Sequence, residues 1–180
     1  MIKVLFICHG NICRSPMAEF IFKDMVAKQG LSDQFMIASA ATSTEEIGNP
    51  VHRGTKHKLL EHGISCAGKT AVQMRKEDYD KYDYLLAMDT NNLRNIERIV
   101  GHRGEKIHLL LEYAGEHASI ADPWYTGDFE ATYQDVVRGC EGFLEYLRKN
   151  KNFEKPSETS TDINKSLNHH LVRFIPTVGT

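Results

Sequence analysis

Long apolar runs are missing from this 180-residue chain, and no stretch approaches the length of a membrane span. The N-terminus, with Lys3 directly before a short apolar run, lacks a signal-peptide pattern. An excess of one charge is missing too. Twenty-two basic and 24 acidic residues are interspersed and leave a net charge of −2, with no basic stripe to neutralise a nucleic-acid backbone. Cysteine is scarce. Cys66 and Cys140 lie far from Cys8 and Cys13, so the 4 cysteines make no secreted disulfide framework, and His9 is the sole nearby candidate to extend Cys8 and Cys13 into a metal site. Together these absences predict a cytoplasmic protein that engages neither nucleic acid nor membrane, and the length predicts one compact domain.

What the chain does have is concentrated between Val4 and Glu19, V-L-F-I-C-H-G-N-I-C-R-S-P-M-A-E. Val4, Leu5, Phe6 and Ile7 follow one another without polar alternation, the pattern of a strand covered on both faces in a parallel sheet. The chain must then turn, and Gly10 and Asn11 tolerate a left-handed backbone. Ser15-Pro16 reads as an N-cap followed by proline in the first helical position, opening a helix to about Gln29 with Gly30 as its stop. A loop that ends on a helix N-terminus gathers backbone N–H groups around one spot and makes an anion hole. Arg14 adds a planar fork that suits a tetrahedral oxyanion. Cys8, at the strand end under this positive field, is favoured as thiolate, the form that attacks phosphorus. Ordinary buried thiols and a metal site are the blander readings, and the placing of Cys8, Arg14 and Ser15 between strand and helix favours a catalytic phosphate loop over both.

The run C-H-G-N-I-C-R-S-P resembles the active-site loop of the low-molecular-weight protein tyrosine phosphatases. The likeness continues through Ser39-Ala40-Ala41-Thr42, His62-Gly63-Ile64, Lys76-Glu77-Asp78-Tyr79, Ala87-Met88-Asp89 with Asn92-Leu93, and Asp122-Pro123-Trp124-Tyr125, in the family's order and approximate spacing. It covers residues 1–150 as a phosphatase domain and leaves 151–180 as a tail outside it. The resemblance implies a flavodoxin-like, three-layer αβα fold around a four-stranded parallel sheet in the order 2-1-3-4. It also implies hydrolysis of phosphotyrosine in proteins, and of small aryl phosphates, through a cysteinyl-phosphate intermediate. Cys8 is then the nucleophile, Arg14 the clamp on the equatorial oxygens, and Asp122 the acid for the leaving phenol and later the base for water. His9, Gly10, Asn11, Ile12, Cys13 and Ser15 form the phosphate site, with Ser15 expected to hydrogen-bond the sulfur. Ser39, Asp89 and Asn92 support it, Asp89 doubling as a helix N-cap, and Glu45, Trp124 and Tyr125 wall the cleft. Neither cofactor nor metal is called for, because the loop supplies the charge stabilisation, and a monomer or weak dimer is expected.

The rest of the chain supplies the frame. Residues 35–39, 84–88 and 106–110 read as strands; a helix is expected from Pro50 to near His62 with Val51, Leu59 and Leu60 inward, another over 90–100, and a closing helix over 129–150 that takes Cys140 into the core. Three positions depart from the family's habit: Glu45-Glu46 where an aromatic is common, Val72 before Gln73 where an arginine is common, and Trp124 where tyrosine is common. Three alternatives stand beside tyrosine phosphatase. Protein arginine phosphatases share the fold but tend to carry threonine at the position of Ile12. Arsenate reductases need two closely spaced cysteines after the loop, which Cys66 and Cys140 do not provide. A phosphate-binding module would require neither Cys8 nor Asp122. Cys13, close to the nucleophile in the same loop, is read as a thiol able to capture oxidised Cys8 as a reversible disulfide, against the simpler reading of a small packing residue.

Overall fold

The computed structural model describes residues 1–151 and 153, so the tail expected from 151 onward lies almost wholly outside the described residues. Strand β1 (Ile2–Cys8) is an inner strand of a parallel sheet in the order β2-β1-β3-β4, with β2 (Phe35–Ala41), β3 (Tyr84–Ala87) and β4 (Ile107–Leu109). The register sets Cys8 beside Ala41 and Ile7 beside Ala87. Strand side chains alternate between faces. Val4, Phe6 and Cys8 accordingly enter one core while Leu5 and Ile7 enter the other, which is why the strand is apolar throughout.

The first core is closed by α1 (Arg14–Lys28), α2 (Arg53–Glu61) and α6 (Phe129–Asn150), the second by α4 (Thr90–Val100). The short helices α3 (Asp78–Lys81) and α5 (Pro123–Thr126) lie in the connections. Phe22 of α1 is fully buried, its ring 5.8 Å from Phe6, 5.5 Å from Phe35 and 5.3 Å from Phe143. Burial of a ring this size contributes about 1.5–3 kcal/mol. That one side chain therefore ties β1, β2 and α6 to the helix that carries Arg14.

Several local expectations are revised. Helix α2 begins at Arg53, because Pro50 pairs with Thr70 in an isolated bridge and the His52 ring caps the helix, Nδ1 accepting from the Gly54 amide at 3.0 Å. Val51 and Leu59 are buried, but Leu60 is 54% exposed. Ser15 is not the cap of α1. That place falls to Cys13, which makes no side-chain cap, and Ser15 sits inside the first turn with its hydroxyl engaged elsewhere. The left-handed backbone falls on Asn11, at φ 58°, and not on Gly10. Cys140 is fully buried in the first core, as its place on the apolar stripe predicts.

Candidate active site

Cys8 ends β1 at the carboxyl edge of the sheet, the usual place for ligands in an open α/β fold. Among the described residues Asn11 alone combines a side chain with a positive φ, and its short amide compensates by tying down the loop. Its Oδ1 accepts from the Val72 amide at 3.1 Å, and its Nδ2 donates to Ser15 Oγ at 2.8 Å and to Ser39 Oγ at 2.9 Å. The Val72 amide fixes which way the Asn11 side chain points. Ser15 Oγ therefore accepts from Asn11 and keeps its own proton for Cys8 Sγ, 3.0 Å away, while the Asn11 amide donates to the same sulfur at 3.3 Å. Two hydrogen-bond donors thus converge on the sulfur.

Arg14 is 3% exposed and spans the site. Nη1 donates to Asp89 Oδ2 at 2.7 Å and to the Ile120 carbonyl at 2.9 Å; Nη2 donates to Asp122 Oδ2 at 3.3 Å. Burial works against the guanidinium charge, but Cys8, Asp89 and Asp122 more than offset it and hold the group above its ordinary pKa. Asp89 uses its other oxygen as the N-cap of α4, Oδ1 accepting from the Asn92 amide at 2.7 Å while Asn92 Oδ1 accepts from the Asp89 amide at 3.2 Å. Asn92 thus supports Asp89 and makes no bond to the phosphate loop. Asp122 precedes Pro123 in extended conformation and caps α5 through Oδ1, which accepts from the Trp124 amide at 3.1 Å, leaving Oδ2 towards Arg14.

These groups face an open cleft lined by Cys8, His9, Gly10, Ile12, Cys13, Arg14, Glu45, Glu46, Asp122, Trp124 and Tyr125. Asn11, Ser15 and Ser39 lie behind it, buried. His9 Nε2 meets Glu45 Oε2 at 3.0 Å across the mouth. Opposite stand Trp124 and Tyr125, 57% and 84% exposed. The His52 amide donates to the Ile12 carbonyl at 2.8 Å, and its ring lies edge-on to Trp124 at 5.8 Å and stacked on Phe129 at 5.2 Å, which seats the aromatic wall against the loop. Cys13 lies inward, 5% exposed, and burial, then Cys8 and Asp122, push its thiol up to about 12. All 4 cysteines are free thiols. Among the described residues no group of three or more His, Cys, Asp or Glu is placed to hold a metal ion.

Sequence reasoning missed five contributors. Glu46 lines the cleft beside Glu45, and His52 steadies the wall. Val72 matters through its backbone, because the stretch around it runs beside β2, with the Ala41 amide donating to the Val72 carbonyl at 2.7 Å. Glu19 and Lys69 form a buried ion pair behind the loop; the Glu19/Lys23 spacing reads from sequence as an ordinary exposed helix pair.

A Cys-x5-Arg loop at a helix N-terminus, at the carboxyl edge of a four-stranded αβα sheet, defines a phosphate-loop class of α/β domain. The chain belongs to the low molecular weight phosphotyrosine protein phosphatase family, whose model matches residues 3–153. It is 44% identical over 154 residues to the low molecular weight protein-tyrosine-phosphatase YfkJ of Bacillus subtilis, covering 84% of this chain and 99% of that one. The YfkJ crystal structure superposes with a TM-score of 0.81 over 84% of this chain and 98% of its own. The human low molecular weight phosphotyrosine protein phosphatase is 44% identical over 149 residues, 79% of this chain and 94% of that protein. A Drosophila arginine phosphatase structure also superposes, with a TM-score of 0.76 at 31% identity over 83% of this chain and all of its own.

Proposed function

We propose that this protein is a cysteine-dependent protein tyrosine phosphatase acting on phosphotyrosine-containing proteins and small aryl phosphates. The observation that carries the reading is the bonding around Cys8 Sγ, which takes donors from Ser15 and Asn11, in a cleft where Arg14 reaches the Asp122 carboxylate. Cys8 forms the S–P bond as the ester P–O bond breaks, and Asp122 gives its proton to the departing phenol oxygen. Arg14 trades its Asp122 contact for phosphate oxygens while Asp89 and Ile120 keep it in place. Water then attacks phosphorus and yields a proton to Asp122; the S–P bond breaks, the Ser15 hydroxyl stabilises the returning thiolate, and inorganic phosphate leaves.

Cys8→Ser is expected to keep its fold and to lose turnover, and Asp122→Asn to lose rate most with poor phenol leaving groups. Steady-state kinetics over a series of aryl phosphates checks both: turnover by Cys8→Ser removes the nucleophile, and equal losses across the series make Asp122 structural. The likeness to an arginine phosphatase gives a second reading, on the same fold at 31% identity. Ile12, apolar in the cleft where such enzymes tend to carry threonine, favours the aryl ester, and side-by-side assays of phosphotyrosine and phosphoarginine peptides decide between them.

The domain is assigned to residues 1–150, with 151–180 as an appended tail. A cytoplasmic location and a redox-sensitive site belong to the same proposal, supported by thiolate chemistry that needs a reducing compartment and by the adjacent free thiols of Cys8 and Cys13. So do a monomer or weak dimer and a surface without affinity for nucleic acid or membrane; charge is balanced, and among the described residues no helix is long and apolar enough to cross a membrane. Under peroxide the Cys8 thiolate becomes a sulfenic acid, and the Cys13 thiolate attacks that sulfur, closing the disulfide and expelling hydroxide. Because Cys13 is held protonated by burial, closure is expected to quicken as pH rises from 6 to 8. Mass spectrometry of the 8-to-13 linkage over time checks this, and a rate that is flat with pH excludes Cys13 as the attacking group.

A further inference from the structure

Asp122, the acid of the proposed reaction, sits on a turn with little of its own to hold it. Helix α5 is 4 residues long, and two of them, Trp124 and Tyr125, are exposed. On the α6 side Thr132 Oγ1 donates to the Ala121 carbonyl at 3.1 Å, which pins the chain just before Asp122. On the other side the contact comes from His52. Its ring meets Trp124 at an interplanar angle of 79° and lies almost parallel to Phe129, at 18°. A Cβ at Gly54 would run into the same Phe129 ring, so the first turn of α2 is packed directly on the start of α6. The imidazole touches both aromatic residues that flank the turn.

The same residue is anchored to the phosphate loop. Its amide donates to the Ile12 carbonyl at 2.8 Å, and Thr55 Oγ1, fully buried in the first turn of α2, donates to the Cys13 carbonyl at 3.1 Å. Nδ1 accepts from the Gly54 amide, which fixes the orientation of the ring. From Trp124 the line continues into the acid. The Trp124 amide donates to Asp122 Oδ1 at 3.1 Å, and that bond leaves Oδ2 towards Arg14. A shift of the indole is therefore passed to the amide that orients the carboxylate, and a general acid works only within hydrogen-bond reach of the leaving oxygen.

We propose that His52 is a positioning residue for the acid: its ring, fixed by the Gly54 amide and the Phe129 stack, holds Trp124 and with it the Asp122 carboxylate beside the phosphate loop. The inference rests on Asp122 as general acid. Trp124 is the single tryptophan of the sequence, so intrinsic fluorescence of the full chain reads this turn alone and without turnover. His52→Asn keeps an acceptor for the helix start and removes the ring; His52→Phe keeps a ring and removes the acceptor. His52→Asn is expected to raise the acrylamide quenching constant of Trp124 and to lower kcat/KM for phenyl phosphate about fivefold more than for 4-nitrophenyl phosphate, in keeping with the loss of one aromatic contact. His52→Phe is expected to bring both readouts back towards the parent while its urea midpoint falls. A phenyl-to-nitrophenyl ratio equal to the parent's in His52→Asn overturns the proposal even where both rates drop, since a loosened fold lowers the two together. Equal shifts of the ratio in both variants overturn it too, because they assign the effect to the cap and not to the ring. If His52→Asn does not fold, Phe129→Leu removes the stacking partner instead; raised quenching with the same shift in ratio supports the proposal, and unchanged quenching overturns it. An Asp122→Asn variant without leaving-group bias would strike the acid reading alone, because Trp124 quenching still reads whether His52 holds the turn.

Discussion

Asp89 shows how much one side chain does here, since Oδ1 caps α4 while Oδ2 anchors Arg14. Asp89→Ala removes both, and is expected to cost about 1 kcal/mol of stability and at least about tenfold in kcat. In Asp89→Asn the single amide oxygen serves one partner only, so both losses should be intermediate. Urea unfolding and kcat for 4-nitrophenyl phosphate measure them, and a kcat unaffected in Asp89→Ala would show that Ile120 alone suffices to hold Arg14. At this scale the sequence is most transparent where chemistry dictates the residue type. Cys8, Arg14 and Asp122 are recognisable from type and context, and the structure brings them to one cleft. Glu19 and Lys69 are opaque, because only tertiary burial distinguishes them from surface ions.

Helix α6 illustrates what periodicity conveys and what it omits. Its apolar stripe predicts that Phe129, Tyr133, Val136, Val137, Cys140, Phe143, Leu144 and Leu147 are inward; Phe129, Tyr133 and Val137 are half-buried and the other five are buried. Nothing in the stripe reveals how closely the helix approaches the turn at residues 110–114. A Cβ at Gly142 would lie 2.1 Å from the Tyr113 carbonyl oxygen, and one at Gly139 2.5 Å from Leu110 Cγ. The first obstacle is backbone and cannot turn aside. Gly142→Ala is therefore expected to cost about 3 kcal/mol and Gly139→Ala about 1 kcal/mol, compared by urea midpoint; equal losses would mean that the turn shifts as a unit. The start of α2 was hidden for a related reason. Proline suits a helix start, but the partner that draws Pro50 into a bridge is Thr70, distant in sequence.

The molecule as a whole buries several neutral acids. Burial raises Cys13, Cys140 and Tyr113 above their ordinary values, so the unfolded chain gives up those protons first. Their stabilising contribution is intact at neutral pH and lost as pH rises through the unfolded values of about 8.5–10, by about 1.4 kcal/mol per pH unit for each fully buried group. Urea midpoints should hold from pH 7 to 8 and fall above 9; a midpoint flat to pH 10.5 would show that these groups ionise in place. The contacts of Arg14 carry a different consequence, since its three partners stand 75, 106 and 108 residues further along the chain. The sulfur, its loop and strands β1 and β2 all lie in the part of the chain synthesised before the residues that anchor the guanidinium. A chain released before Asp89 is therefore expected to carry a silent thiol in place of an ungoverned phosphatase, so that turnover would certify that both halves of the domain have met.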